Sequence, residues 1–393
     1  MHKEGIDISQ IINELGEDRH AYFNAVSPPI VQTSNFAFDS VAALRASFRD
    51  EMGGYLYSRG LNPTVDILRK KLAALDGAED CLVFNNGAAA VFAAVLANVK
   101  AGDHIVSVTH PYTWTAHLFD KVLPRFGITT TYVDGTRVEN FEKALLPNTT
   151  FIYLESPNSW HLDIQDLPAV AALARPRGIV TLIDNSYCTP LYQRPLEMGI
   201  DIAMQTATKY ISGHSDTLGG VLCGSHAMMR RIFESEYLCV GSGIQPFNAW
   251  LLLRGLRTLP LRLEHLSRSA RKVLAFLKSH PMVEDTIFPH DPAYPQYELA
   301  VRQMGGACGL ISLFIRAESC AEVERFCESL RHIRMAVSWG GHESLVIPKC
   351  AGIDPSEFDP SNREHRMLRL YVGLEDADFL IADLAHAFQS MKG

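Results

Sequence analysis

The chain has 393 residues, 47% of them hydrophobic and 20% charged, with a formal net charge of −8 and a pI near 6.0. At roughly 150 residues per domain, that length suits two domains, or one large domain with an appendage, around a sizeable core. An acidic balance of this kind argues against nucleic acid or an anionic membrane surface as the main partner, and no run approaches the ~18 apolar residues needed to span a bilayer.

The first twenty residues, "MHKEGIDISQIINELGEDRH", are polar and acidic, without the apolar stretch of a secretory signal. Residues 1–60 lack strong periodicity and read as an extended arm with short elements. "NPTVDILRKKLAALDG" then reads as a helix. Asn62 caps it, Pro63 fits its first turn, Val65, Leu68, Leu72 and Leu75 share a face, and Gly77 ends it. From there to about residue 255, apolar β-type runs alternate with helical stretches. The strand candidates are 104–108, 129–133, 151–155, 179–184, 201–205 and 219–223, and between them lie helical patterns such as "AHLFDKVLPRF" and "DLPAVAALARPRG". Continuous apolar strands crossed by helices predict an α/β domain, with a mostly parallel sheet covered on both faces, over 61–255. Past residue 255 a long amphipathic pattern, "LRLEHLSRSARKVLAFLKSH", and shorter strands such as "GLISLFI" predict a smaller α+β domain over 256–393.

The eight cysteines (Cys81, Cys188, Cys223, Cys239, Cys308, Cys320, Cys327 and Cys350) are scattered, and no pair has C-x-x-C spacing. Neither a metal site nor a redox pair is expected, and a reduced, cytoplasmic setting is the simpler reading. There is no G-x-G-x-x-G and no G-x-x-x-x-G-K-[ST], which disfavours a dinucleotide fold and a P-loop.

Ligands of open α/β sheets bind beyond the carboxyl ends of the strands. Tyr112, Glu155, Asp184, Thr206, Thr208 and Lys209 all fall at or just after such ends, and Gly87 stands at a turn into a helix, where N–H groups can hold a phosphate. One amine amid small hydroxyl residues, an acid and a phosphate cradle together suit pyridoxal 5′-phosphate. It needs a lysine for a Schiff base and a carboxylate opposite its ring nitrogen. Each residue also has a plainer reading. Lys209 can be a solvated lysine, Asp184 can cap a turn, Gly87 can be a loop glycine, and Tyr57 and Tyr112 can be packing aromatics. Glu155 can be a structural hydrogen-bonding group and Arg369 an exposed strand arginine. His214, Ser215 and Asp216 are sequential neighbours, which a catalytic triad is not.

The stretch "DNSYCTPLYQRPLEMGIDIAMQTATKYISGHSD" resembles the signature of the pyridoxal-phosphate enzymes of cysteine and methionine metabolism. "YSRGLNPT", "ESP", "LLLRGLRTL", "SWGGHESL" and "RLYVGLEDADFLIADL" match in the same order. The resemblance covers nearly the whole chain. It implies the aspartate-aminotransferase-like fold (fold type I) and a homotetramer, a dimer of dimers with shared active sites to which residues 1–60 contribute. It also implies a small sulfur amino acid as substrate. By position, Lys209 bears the cofactor and moves protons. Asp184 pairs with the ring nitrogen, and Thr206, Thr208, Gly87 and Ala88 hold the phosphate. Tyr57 and Arg59 reach the phosphate in the neighbouring subunit. Tyr112 stacks on the ring and assists proton transfer. Arg369 clamps the substrate carboxylate, Ser338 steers Lys209, and Trp339 lines the substrate pocket.

Several positions depart from the common pattern. Ala88 replaces a larger apolar residue, and "TATK" replaces "SATK". Thr113 and Trp114 follow Tyr112, with Trp114 where methionine γ-lyases carry a cysteine. "ESPNSW" stands for "ESPTNP", and Val337 precedes Ser338. "SWGG" resembles bacterial cystathionine β-lyases. These features point to β-elimination from cystathionine or another S-substituted cysteine. The γ-acting lyases and synthases are the alternative, and a cofactor-binding protein without turnover is the third reading.

Overall fold

A computed structural model describes residues 7–391; the first six residues of the expected arm and the last two of the chain lie outside them. The chain forms two compact units. The first holds the residues up to Ser156, Gln165–Ser212 and Asp216–Arg257, and the second holds Pro157–Ile164, Gly213–Ser215 and the chain from Thr258 on. The change-over thus falls after Arg257, and two short loops inside the first unit's sequence count with the second. Periodicity marks elements, and gives no sign of which core a loop packs on.

The first unit is built on a seven-stranded sheet in the order β1-β7-β6-β5-β4-β2-β3. Its strands are β1 (Asp80–Phe84), β2 (His104–Val108), β3 (Thr129–Val133), β4 (Thr149–Glu155), β5 (Val180–Asp184), β6 (Ile202–Gln205) and β7 (Gly220–Gly224). Strands β2 to β6 pair in parallel, whereas β7 runs antiparallel to both β6 and β1. Alternation along β4 shows why the runs are continuous. Phe151 and Tyr153 join one apolar cluster, with the helix Gly87–Leu96; Ile152 and Leu154 join another, with the helix Leu167–Ala174. A strand buried on both faces has no polar side to show. Each large apolar side chain so buried contributes about 1.5–3 kcal/mol.

The helix Pro63–Asp76 forms as its end signals dictate. The Asn62 side chain accepts the Thr64 N–H, Pro63 sits in the first turn, and Gly77 closes the helix at φ 67°, a left-handed conformation that glycine takes without a Cβ clash. The pattern "AHLFDKVLPRF" instead breaks into a short helix, Thr113–His117, a wider turn over Leu118–Val122 and a tight one over Leu123–Phe126. Pro124 cannot continue a regular helix there. Within residues 1–60, the arm holds a nine-residue helix, Val41–Arg49, capped by Ser40.

The second unit carries a five-stranded sheet in the order β10-β11-β12-β9-β8. Its strands are β8 (Val283–Ile287), β9 (Leu310–Ile315), β10 (Arg334–Met335), β11 (Leu345–Pro348) and β12 (Met367–Tyr371). The helices Leu259–Ser279, Cys320–Ser329 and Ala377–Ser390 share one apolar cluster with Ile311, Leu313, Val346, Leu368 and Leu370. Residues alternate across a strand, so Arg369, between Leu368 and Leu370, faces away from that cluster. Among the described residues all eight cysteines are free thiols, no three His, Cys, Asp or Glu residues are placed to hold a metal ion, and no helix is long and apolar enough to cross a membrane.

Candidate active site

Strands β1, β2, β4, β5 and β6 all end at one edge of the large sheet, because β7 alone is reversed. The residues that leave this edge form one cluster of candidate site residues. Asn86 caps the helix Gly87–Leu96 by accepting the Ala89 N–H at 2.8 Å. The first-turn N–H groups of Gly87 and Ala88 lie ahead of that bond, where a helix N-terminus favours an anion. A Cβ on Gly87 would fall 2.3 Å from Thr206 Oγ1 and 3.0 Å from Met204 Cε. The loop after β1 and the loop after β6 therefore meet backbone to hydroxyl. Gly220, at the head of β7, presses on the same turn, its ideal Cβ falling 2.2 Å from the Asn86 carbonyl oxygen. Gly87 is thus a close-approach glycine and not a plain loop residue. Replacing it with alanine is expected to force the two loops apart and weaken cofactor binding 10- to 100-fold, about 1.4–2.7 kcal/mol, with little change in Tm. Titrating the apo-protein with pyridoxal phosphate checks this, and an unchanged Kd would contradict it.

Asp184, the last residue of β5, is buried. Its Oδ1 accepts the Ser186 N–H at 2.9 Å, and Ser186 Oγ in turn accepts the Thr206 N–H at 2.6 Å. So the turn-capping reading of Asp184 is structurally real, and the same turn links Asp184 to the start of the lysine loop. Burial pushes the Asp184 carboxyl upward, while the Ser186 bonds and the charge of Lys209 pull it back down. A cation placed against this carboxylate would complete its charge balance. Lys209 is half-buried, with its N–H bonded to the Thr206 carbonyl at 3.1 Å. Thr208 Oγ1 accepts the Gly219 N–H at 3.1 Å, which ties the lysine loop to the entry of β7.

Tyr112 follows the exit of β2, after His110 at φ 57°. Glu155 Oε2, at the end of β4, accepts the Tyr112 N–H at 2.7 Å, in keeping with the structural reading of that acid. The Tyr112 side chain is 45% exposed. Burial, then the carboxylates of Asp184 and Glu155, raise its phenol above the usual value, so it stands as a protonated donor at neutral pH. Trp114, 59% exposed, lies two residues on, with its ring edge-on to His117 at 5.5 Å. Tyr57 and Arg59 are both exposed on the single chain, with the guanidinium 5.4 Å from the Tyr57 ring centre. Core packing of Tyr57 is thereby ruled out for the single chain.

In the second unit, Arg369 is only 8% exposed, against the reading of an exposed strand arginine. It donates to the Ser159 carbonyl at 3.3 Å and to the Ser338 carbonyl at 3.4 Å. Ser338 holds φ 80°, a strained setting for a residue with a Cβ, and Trp339 beside it is buried. Trp160 places its ring centre 5.0 Å from the Arg369 guanidinium.

Three residues escaped the sequence reading. Ser186 links Asp184 to Thr206, and its signal was the Asp-x-Ser spacing of a side-chain-capped turn. Asn86 caps the helix that presents Gly87; the Asn before a glycine-led helix was the cue. Trp160 had no cue, because its partner Arg369 lies far along the chain and no local pattern encodes that contact.

The residues on this edge fit pyridoxal 5′-phosphate. The turn at Gly87 is too tight for a Cβ and offers backbone donors to a phosphate, with the Thr206 hydroxyl at its mouth. Asp184 is a buried acid suited to a pyridinium nitrogen, and Lys209 is an amine close enough to feel that acid's charge. The chain matches the family described as Cys/Met metabolism PLP-dependent enzyme over residues 9–389. It is 37% identical over 377 residues to an L-methionine gamma-lyase of Treponema denticola, covering 94% of each chain. It is also 34% identical over 392 residues to a chloroplastic cystathionine beta-lyase of Arabidopsis thaliana, covering 99% of this chain and 82% of the relative. A solved structure of metB from Corynebacterium glutamicum superposes with a TM-score of 0.90 at 31% identity, over 98% of both chains. Matched along nearly its whole length in sequence and in fold, the chain belongs to the Cys/Met metabolism PLP-dependent enzymes, a fold type I protein whose cofactor is pyridoxal 5′-phosphate.

Proposed function

We propose that this enzyme is a carbon–sulfur lyase acting by β-elimination on L-cystathionine or a related S-substituted cysteine. The bound cofactor supplies an electron sink for the pair left when the Cα–H bond breaks. Lys209 Nζ takes the Cα proton, and Tyr112, held by Glu155, keeps a phenolic proton at the same edge. Asp184 holds the ring nitrogen in its protonated form. Thr206, Thr208 and the N–H groups of Gly87 and Ala88 bind the phosphate, and Arg369 binds the substrate carboxylate. The Cβ–S bond breaks with its electron pair leaving on sulfur, which picks up a proton. One water is consumed, and the products are a thiol, pyruvate and ammonium. Tyr57 and Arg59, exposed on one chain, serve the phosphate of a second copy in a tetramer with shared sites. The protein works in the cytoplasm.

The observation that carries the β-acting choice is the pair of tryptophans in the motifs around the site. Trp339 follows Ser338, as in cystathionine β-lyases, and Trp114 stands where methionine γ-lyases carry a cysteine. The second reading is γ-elimination, favoured by the 37% identity to an L-methionine gamma-lyase. Lys209 would then return for a second proton at Cβ, and the keto acid would be 2-oxobutyrate. Incubating the holoenzyme with L-cystathionine and weighing the products decides between them. Pyruvate with homocysteine is expected; 2-oxobutyrate with cysteine would replace the β reading with the γ one. Light scattering on the same sample is expected to give a multiple of 43.6 kDa, and a monomer would exclude the shared site.

A further inference from the structure

We propose that Trp160 is a positioning residue for the Arg369 guanidinium, and that Asn158 holds the loop from which Trp160 does this. The inference rests on the reading of Arg369 as the group that binds the substrate carboxylate.

The loop 157–164 is organised around one side chain. Asn158 is buried, and its Oδ1 accepts three successive backbone N–H groups, from Trp160 at 3.2 Å, His161 at 2.9 Å and Leu162 at 3.0 Å. Its Nδ2 donates to Asp163 Oδ2 at 3.2 Å, and its own N–H to the Asp163 carbonyl at 3.2 Å. Leu162 takes φ 57°, so the chain turns tightly around the amide. A turn closed at both ends on one buried amide leaves little freedom to the side chain it carries outward.

That loop is also fastened to the strand pair that carries Arg369. Ser312 on β9 stands directly across the ladder from Arg369 on β12, and its hydroxyl donates to the Trp160 carbonyl. Ser159, the residue before Trp160, accepts from Arg369 at 3.3 Å. On the far side, His161 Nε2 lies 3.1 Å from Glu364 Oε2, and Glu364 is paired with Lys349. The indole ring therefore sits near two cations, 5.0 Å from the Arg369 guanidinium and 5.6 Å from the Lys349 ammonium. Both distances lie within the ~6 Å at which an aromatic face attracts a cation. A guanidinium on a long side chain has many rotamers. A planar ring beside it, with the Ser159 and Ser338 carbonyls, limits them. A guanidinium held in one plane loses less freedom when a carboxylate docks on its two-pronged edge. The alternative, an indole that only fills space, predicts that any apolar side chain of similar bulk would serve.

The test is a double-mutant cycle on the holoenzyme, with L-alanine as the probe. L-Alanine carries the carboxylate but no leaving group, and its binding is read from the visible absorbance of the cofactor. Trp160→Leu keeps apolar bulk and removes the ring. It is expected to raise the Kd of L-alanine about 10-fold, to raise KM for the sulfur amino acid by a similar factor, and to leave kcat within about 3-fold and the Kd of pyridoxal phosphate unchanged. Trp160→Phe is expected to restore most of the affinity. In an Arg369→Ala background, Trp160→Leu is expected to add nothing, because its effect runs through the guanidinium. Parent-like affinity in Trp160→Leu would overturn the proposal, as would an equal further loss in the Arg369→Ala background. An Arg369→Ala variant that binds L-alanine as tightly as the parent would instead remove the carboxylate-clamp reading, and the proposal with it. Should Trp160→Leu fold poorly, Asn158→Ala reads the same loop, and it too must raise Kd while sparing kcat.

Discussion

Replacing Lys209 by alanine is expected to cut kcat by about four orders of magnitude while leaving the fold intact. A positioned proton carrier is worth about 10²–10⁴-fold by itself, and in the proposed function this amine also tethers the cofactor. The loop does not need the side chain to hold its shape. Its backbone bonds run from the Lys209 N–H to Thr206 and from the Ser212 N–H to Ala207, and the Thr208 hydroxyl ties it to Gly219. Removing the ammonium also removes one of the influences that hold the Asp184 carboxyl down, so the acid's preference for the proton should rise in the cofactor-free chain. The measurement is borohydride reduction followed by peptide mass. The parent should yield a peptide spanning Lys209 with a covalently fixed cofactor, and the alanine variant should yield none. A fixed cofactor at another lysine, or turnover within 10-fold of the parent, would displace Lys209 from its role.

Most of the sheet was legible because its strands are short apolar runs with turn residues at both ends. Residues 104–108 and 129–133 match β2 and β3 residue for residue, and the helix after Asn62 begins and ends on its own signals. The strand Asp80–Phe84 was not legible, since only Gly77, Ala78 and Glu79 separate "DCLVF" from the helix before it. The reversal of β7 was not legible either, because direction is set by the lysine loop that turns back into it and not by any periodicity of its own. The site shows the same division. Lys209, Asp184, Thr206 and Thr208 stood out in the sequence because they sit at or just after strand ends, where position alone implies a ligand edge. Ser186 left a local trace in its Asp-x-Ser spacing, whereas Trp160 meets Arg369 across 209 residues of chain, and a contact between such distant segments leaves none. The plain reading of Asp184 as a turn cap holds in the structure, and it is compatible with the role proposed for that acid.

A second large effect is expected at a residue outside the catalytic set. Asp76 ends the helix Pro63–Asp76 and is fully buried, with Gln205 Nε2 donating to its Oδ2 at 2.6 Å. Burial pushes its carboxyl up to about 7, against smaller opposing effects of the Cys223 thiol, Arg194 and Gln205. An unfolded aspartate titrates near ~3.9, so between about pH 4 and 7 the folded chain keeps a proton that the unfolded chain has released. The unfolded state then binds fewer protons, and stability falls as pH rises, by about 1.4 kcal/mol per pH unit and on the order of 4 kcal/mol across the window. The contribution of the protonated acid is complete below about pH 4 and is lost as the pH passes 7. Asp76→Asn cannot ionise and still offers Gln205 an acceptor. It should flatten this slope, and should be more stable than the parent by a few kcal/mol at pH 8 while gaining nothing at pH 4. Urea unfolding of parent and variant at half-unit steps from pH 4.5 to 8 reads the difference, with the other titrating groups cancelling between the two chains. Parallel curves would show that Asp76 stays ionised in the folded protein. A curve that flattens would show that the end of β6, where Gln205 leads into Thr206 and the lysine loop, is anchored at neutral pH by a carboxylic acid that is close to losing its proton.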